Sequence, residues 1–398
     1  MKILGKKTEY LFNKSSRYEV YQLNYKNKFY ERLENKISCF YNITIDNSLV
    51  KMAMKFIILI LGFFASLPVN SSSSSSSTLP LKWESLVPGD KIAIVATSNI
   101  PNEGCLAKAR ELLIVHNFIP LIFVHSTPGE FGRAPIEDRR QDFYNALKSE
   151  AKVIWAIRGG RGASEIFEEQ ELFAGFRAKL PKLLIGFSDF TSIHLWANSI
   201  GWPSLHGIVL SYCLENSHVV NARTSIAPYI DILTGKTREL TYQLQPENEL
   251  ARTCSIETTC VIGGNSSLIQ RSIGTETMPT IKGNVLFIED IGEEGSRLNE
   301  VLVHFSRSSF LKEVKAIIWG NFESKDVAGI ADAKTLFIGK MTKKNISVFS
   351  ADFFGHGAYN YPLPLNTTAR IEVGGKLVVR TNNWSLGGEQ LSFRKVLL

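Results

Sequence analysis

One stretch, Leu184-Ile185-Gly186-Phe187-Ser188-Asp189-Phe190-Thr191, restricts what this chain can fold into more than any other. Leu183, Leu184 and Ile185 form the short apolar run of a buried parallel strand, and Gly186 permits a sharp turn directly after it. Ser188 stands at the bend. Beyond it the spacing turns helical, with Ile193, Trp196, Ala197 and Ile200 on one face and Gly201 as a stop. Strand, sharp turn and helix form a nucleophile elbow, in which the N–H after the serine and the helix N-terminus favour a developing oxyanion. An ordinary turn with a capping serine has the same pattern. Phe190 occupies the position where such elbows usually close on glycine, so the stretch alone leaves both readings open.

The length of 398 residues suits two domains. The formal charge of +7 invites a nucleic-acid reading, which fails on position. Residues 1–78 carry 11 Lys/Arg against 5 Asp/Glu, and residues 79–398 carry 34 against 33, so the body is nearly neutral and has no basic stripe. Within the first segment, Lys51 and Lys55 precede an apolar run at 56–65, the layout of a secretory signal, with Val69 and Ser71 as small residues at a cleavage point. The run is short for a membrane span, which takes about 20 residues, so a cleaved signal ranks before an anchor, and secretion or a periplasmic location follows. Met52 or Met54 is then a candidate start. Seven serines at 71–77 make a flexible linker, and the folded body begins near Leu79.

Lys91-Ile92-Ala93-Ile94-Val95-Ala96 is the expected first strand, and Thr97-Ser98-Asn99 is the loop at its carboxyl end, the edge where open α/β sheets bind ligands. A helix over 103–116, a strand over 121–124, a helix over 136–149 and a strand over 153–157 follow. That last strand runs into Arg158-Gly159-Gly160-Arg161-Gly162, whose glycines let backbone N–H groups approach a ligand. No phosphate-loop or dinucleotide fingerprint is present. In an alternating βα chain this loop neighbours Ser188 and can supply a second oxyanion donor.

The organisation expected is a leader at 1–78, an α/β nucleophile domain at 79–212, a polar crossing at 213–250 and a β-rich domain at 251–398. In the last, strands are expected over 260–265, 284–288, 316–319, 346–350 and 370–379, with a helix over 296–304. Glu289 and His356 fall at or just past the ends of apolar strands. An acidic strand end is commonly only solvated, whereas the flanking glycines leave His356 free to reach across a cleft. His206 is the main rival base. Cys254 and Cys260 read as small apolar residues or, in an oxidising compartment, as a pair; the cysteine spacing matches no zinc pattern.

Five stretches stand in an order that resembles the LD-carboxypeptidase family of serine peptidases, which includes muramoyltetrapeptide carboxypeptidases and microcin C immunity-type hydrolases. They are Pro88-Gly89-Asp90, Arg158-Gly159-Gly160, Gly186-Phe187-Ser188-Asp189, Ile288-Glu289-Asp290-Ile291-Gly292-Glu293, and Gly355-His356-Gly357 with Leu363-Pro364. The resemblance implies an active site between an α/β domain and a β-rich domain, with Ser188 as nucleophile, His356 as base and Glu289 as its orienting carboxylate. Backbone N–H groups of Asp189 and Gly160 would hold the oxyanion, and Arg158 or Arg161 would bind a substrate carboxylate. Arg161 departs from the tyrosine usual there. The implied reaction releases the terminal D-Ala of murein tetrapeptide without metal or cofactor. Hydrolysis of a peptidyl-adenylate-like toxin and a non-catalytic peptide- or glycan-binding module remain as alternatives. A peptide substrate, no nucleic acid, a homodimer, and membrane contact only through an uncleaved leader complete the expectation.

Overall fold

Four buried strands, most of them apolar, and one half-exposed edge strand build the first sheet. They are β1 (Lys91–Val95), β2 (Ile119–Phe123), β3 (Val153–Ala156), β4 (Leu183–Gly186) and β5 (Ser204–His206), all parallel, in the order β5-β4-β3-β1-β2. These assignments come from a computed structural model that describes residues 82–102, 104–212 and 225–382, within the compact unit Ser77–Leu398. The expected signal at 56–65, the serine tract at 71–77, Cys213 and His218 lie outside the described residues.

Successive side chains of a strand point to opposite faces, so the sheet has two cores. Ala93, Val95, Ile154 and Leu184 pack beneath α2 (Ile136–Lys148), the 3-10 segment Ala163–Ala178 and α3 (Thr191–Ser199); α1 (Cys105–Val115) belongs to the other face. There Ile92, Ile94, Trp155 and Ile185 meet Ala109 and Leu113 of α1, Trp83, and Tyr229 and Ile232 of α4 (Ala227–Leu233). The 225–250 part of the expected polar crossing is thus structured. It holds α4 in the first core, followed by β6 (Glu239–Gln243), β7 (Gln245–Pro246) and the start of α5 (Glu249–Thr253).

The second sheet has a parallel centre of β8 (Ile256–Asn265), β9 (Val285–Ile291), β10 (Ala316–Glu323) and β11 (Ser347–Gly355). Its antiparallel flanks come from β6 and β7 together with the later strands β13 (Thr368–Glu372) and β14 (Lys376–Arg380), while β12 (Leu363–Leu365) returns to pair antiparallel with β5 in the first sheet. One face is covered by α6 (Ser266–Ser272), α7 (Gly295–Arg307) and α8 (Val327–Lys343). The sequence reading omitted α6 and α8, although Ile330, Ala333, Phe337 and Met341 of α8 recur at helical spacing and all enter the core. Cys254 and Cys260 are both free thiols, and burial pushes Cys260 up to about 11.

Two features tie the halves together. The fully buried Trp83 donates its N–H to the Asn382 side chain and its indole N–H to the Thr381 carbonyl, so the start of the described body is sealed by its end. Between the sheets lies α3, whose residues Thr191 to Asn198 are all buried. Ile193, Trp196 and Ala197 belong to a first-sheet core, and Leu195 belongs to a core of the second.

Two outcomes are expected. A chain beginning at Leu79 keeps Trp83 and folds, whereas Trp83→Ala in that chain lowers the unfolding free energy by about 3–5 kcal/mol in urea melts. The second concerns His194, whose Nε2–H donates to the Gly186 carbonyl at 2.9 Å and whose pKa burial lowers to about 4. The unfolded chain takes up a proton at this histidine near pH 6.5 and the native state does not. Its stabilising contribution is complete above that value and is lost as pH falls toward 4, a difference on the order of 3 kcal/mol. Urea melts at pH 7 and pH 4.5 should show a smaller acid loss for His194→Gln than for the parent chain.

Candidate active site

The serine sits on strained backbone. Ser188 has φ 62°, in the left-handed region that costs a non-glycine residue energy, and such strain persists where the surroundings enforce it. Phe187 follows β4 in extended geometry, and Ser188–Phe190 forms one 3-10 turn leading into α3. Phe190 in the place of the usual glycine is accommodated from below: a Cβ at Gly186 would stand 2.6 Å from its ring carbons. The close approach that an elbow requires is made by Gly186, two positions before the serine.

The first sheet changes direction at β1, which has β2 on one side and β3 on the other. Loops leaving the carboxyl ends of adjacent strands diverge at such a point and leave a crevice. A cavity of about 200 Å³ opens there, lined by Asn99 after β1, Arg158, Gly159 and Gly160 after β3, Phe187 and Ser188 after β4, and Val209, Ser211 and Tyr212. A Cβ at Gly159 would stand 3.3 Å from the Ser188 Cβ and 3.5 Å from its Oγ, so the Gly159–Gly160 peptide borders the hydroxyl. Arg158 lines this cavity, donating to the Ile100 carbonyl at 3.2 Å and to Asn102 Oδ1 at 2.7 Å. Arg161 is exposed, and its backbone N–H binds Asn99 Oδ1 at 3.1 Å. A wider depression of about 640 Å³ lies by Pro88, Arg110 and Pro120, at the amino ends of β1 and β2 and away from Ser188.

The second sheet supplies the other two groups. His356 Nδ1 and Glu289 Oε2 are 2.6 Å apart, with the histidine 3% and the glutamate 0% exposed. A carboxylate accepts, so Nδ1 carries the proton and Nε2 is left as the basic nitrogen. Glu289 lies within β9 instead of at a solvated strand end, in space left by glycines: a Cβ at Gly320 would come within 3.1 Å of its Cβ, and one at Gly355 within 3.0 Å of Oε2. Burial pushes its carboxyl above the ordinary range, against the opposing pull of His356. Asp290, on the opposite face of the strand, is bound by Asn265 Nδ2, by both the hydroxyl and N–H of Ser267, and by Ser266 Oγ at the start of α6. The Gly355 N–H donates to the buried Asn360 Oδ1 at 3.0 Å, fixing the chain immediately before His356.

The His356 ring lies 4.8 Å from that of Phe187, centroid to centroid, which sets this imidazole against the residue preceding Ser188. His206 is displaced as the rival base. It is fully buried at the end of β5, packed on Phe187 and Phe287, and burial holds its pKa well below the ordinary value. Asp189 contributes more than its N–H. Its buried carboxylate accepts from Ser98 Oγ at 2.6 Å and from the Ala163 N–H at 2.8 Å, while burial raises its pKa. Arg139, 2% exposed, binds the carbonyls of Thr97 and Gly162 and the Glu165 carboxylate. Arg139, Asn265 and Asn360 were given no role by the sequence reading. Ser98 and Asn99 carried a positional signal alone, in the loop past the carboxyl end of β1.

A histidine held by a buried carboxylate, set near a strained serine beside a glycine loop, is an arrangement able to carry out acyl transfer. Comparisons with known proteins agree with it. Residues 92–207 match the LD-carboxypeptidase N-terminal domain and residues 258–371 match the LD-carboxypeptidase C-terminal domain. A protein of Rickettsia prowazekii (strain Madrid E), provisionally named a carboxypeptidase, is 30% identical over 324 residues, covering 80% of this chain and 96% of its own. The murein tetrapeptide carboxypeptidase of Pseudomonas aeruginosa is 26% identical over 245 residues, covering 60% of this chain and 78% of its own. The crystal structure of muramoyltetrapeptide carboxypeptidase from Oxalobacter formigenes superposes with a TM-score of 0.62 at 22% identity, covering 73% of this chain and 98% of that one. Microcin C7 self-immunity protein MccF in complex with aspartyl sulfamoyl adenosine gives 0.60 at 20% identity, covering 77% and 100%. With both domain matches in sequence order and a relative matched over nearly its full length, this chain belongs to the LD-carboxypeptidase family.

Proposed function

We propose that this protein is a serine carboxypeptidase that hydrolyses an L,D amide bond, releasing the terminal D-Ala of murein tetrapeptide. The observation that carries the reading is the buried Glu289–His356 pair, 2.6 Å apart, packed against the strained Ser188 turn. A serine hydroxyl is a weak nucleophile at its own pKa. His356 Nε2 takes the Oγ proton as Oγ adds to the scissile carbonyl, and the Glu289 carboxylate stabilises the imidazolium that forms. The oxyanion of the tetrahedral intermediate is received by the N–H groups of Asp189 and Gly160, each worth about 3 kcal/mol. Collapse expels D-Ala, whose amine takes the proton from His356, and water then hydrolyses the acyl-enzyme by the reverse sequence of transfers.

Arg158 is the proposed partner of the terminal carboxylate, because it lines the serine cavity while Arg161 is exposed. The substrate follows the names borne by the Pseudomonas and Oxalobacter relatives. The signal-like run at 56–65 supports a location outside the cytoplasmic membrane, where murein lies. Among the described residues no helix is long and apolar enough to cross a membrane. An exposed guanidinium at Arg161, beside the glycine loop, favours as a second reading a substrate with an additional carboxylate or phosphate, as in a peptidyl adenylate.

Purified residues 79–398 should convert murein tetrapeptide to tripeptide, leave the D,D bond of the pentapeptide intact and be indifferent to EDTA, with products followed by mass. Cleavage of a peptidyl-adenylate analogue alone would move the assignment to the immunity-type reaction, and tight binding without product would make the chain a binding module. Ser188→Ala should fold normally and lower kcat by at least about a thousandfold, and His356→Ala and Glu289→Ala should add little to that loss because the three act as a unit. Arg158→Met should raise KM by roughly 10- to 100-fold with kcat little changed, as expected for removal of a charged hydrogen bond made alike in ground and transition states.

A further inference from the structure

The glycine loop that borders Ser188 has no regular secondary structure to hold it, yet an oxyanion donor must stand within a few tenths of an ångström of its place. What occupies the crook of that loop is the Asn99 side chain. Gly160 has φ 136°, and a Cβ there would overlap Asn99, at 2.2 Å from Oδ1, 2.5 Å from Cγ and 2.8 Å from Cβ. Asn99 Oδ1 accepts the N–H of the next residue, Arg161, at 3.1 Å. The glycine backbone and the asparagine amide therefore interlock, one filling the space that the other lacks.

Asn99 is itself anchored. Its backbone bridges to Arg133, and the following Ile100 N–H donates to the Gly132 carbonyl at 3.1 Å. The same two loops are also tied by other groups: Arg139 spans the Thr97 and Gly162 carbonyls, and Asp189 spans Ser98 and Ala163. Those ties reach the glycine loop at its carboxyl end, and the Arg158 side chain ties its amino end to the Ile100 carbonyl and Asn102. Asn99 alone among them touches its middle and lines the cavity with Ser188.

The geometry points to Asn99 as the positioning residue of the oxyanion loop: by holding Gly160 and Arg161 it aims the Gly160 N–H at the space in front of Ser188 Oγ. The role rests on the acyl-transfer reading above and is independent of which amide is cut. Losing the side chain leaves the serine, its base and the Asp189 N–H in place but lets one oxyanion donor wander, so the loss falls on the transition state and spares ground-state binding.

A fluorophosphonate probe separates this role from substrate choice, because Ser188 Oγ displaces fluoride from phosphorus through an anionic transition state that uses the same loop. Phosphonylation rates would be measured on purified residues 79–398, with the labelled residue identified by mass, for the parent chain, Asn99→Ala and Asn99→Asp. Asn99→Ala should be labelled roughly 10- to 100-fold more slowly, somewhat less than the loss expected for deleting a donor outright, with Tm within about 2 °C of the parent. On tetrapeptide the same factor should appear in kcat, with KM within about twofold. Asn99→Asp, isosteric and able to accept the Arg161 N–H, should be labelled faster than the alanine variant. Equal rates for the parent and Asn99→Ala, or an aspartate variant no faster than the alanine one, would overturn the role. A parent chain labelled at Ser188 but inert toward tetrapeptide would remove only the substrate reading, and the labelling rates would still decide on Asn99.

Discussion

The arrangement depends on one short helix being buried on every side. In α3 the residues from Thr191 to Asn198 have no face left for water, because one flank closes a core of the first sheet and Leu195 enters a core of the second. The Asn265 N–H, at the end of β8, donates to Thr191 Oγ1 at 3.0 Å, and Gly264 is within reach only because it lacks a Cβ, which would stand 2.5 Å from that oxygen. A helix seated this way cannot turn about its axis without opening both cores. The strained Ser188 at its entrance is thereby fixed relative to Glu289, which lies on β9 beside β8.

Burial sets the electrostatic conditions. Three carboxylates, Asp189, Glu289 and Asp290, lie in the candidate site and out of water, where an unpaired charge would be costly. Each is met by donors of a different kind. Asp290 takes hydroxyls and an N–H at the start of α6, Asp189 takes Ser98 and the Ala163 N–H, and Glu289 takes the single proton of His356 Nδ1. Glu289 is the least fully satisfied by fixed dipoles, its Oε1 having no hydrogen-bond partner among the described residues, which suits the role proposed for it beside an imidazolium. His194 and His206, buried and held neutral behind the elbow, fill space without adding a competing cation.

Much of this was legible residue by residue. The run before Gly186, the helical spacing after Asp189 and the glycines following β3 each have local causes, namely alternation, capping and steric freedom, and the structure places them as expected. Glu289 and His356 were legible as candidates through their strand-end positions and the order of motifs. Phe190 was harder to read, since an elbow usually has a glycine on each side of the serine, and here Gly186 alone remains and makes room for the Phe190 ring. The 213–250 stretch looked irregular because its polar residues hide α4, whose apolar side chains join a core with members from Trp83 to Leu210. In α8 the helical spacing was present and went unread.

The sequence by itself determined the elements and the chemistry each could carry: an apolar strand ending in a serine, a glycine loop beside it, an acid and a histidine on later strands. Local sterics and hydrophobic period act over a few residues, so they are written in the chain. Tertiary structure decided which polar groups meet. That Asp189 accepts from Ser98, that Asn99 fills the crook of Gly160, and that His206 is sealed away while His356 faces the elbow are outcomes of packing between segments some sixty to two hundred residues apart. Such contacts form only when both cores close, because the burial that makes them strong also requires every element to be in place.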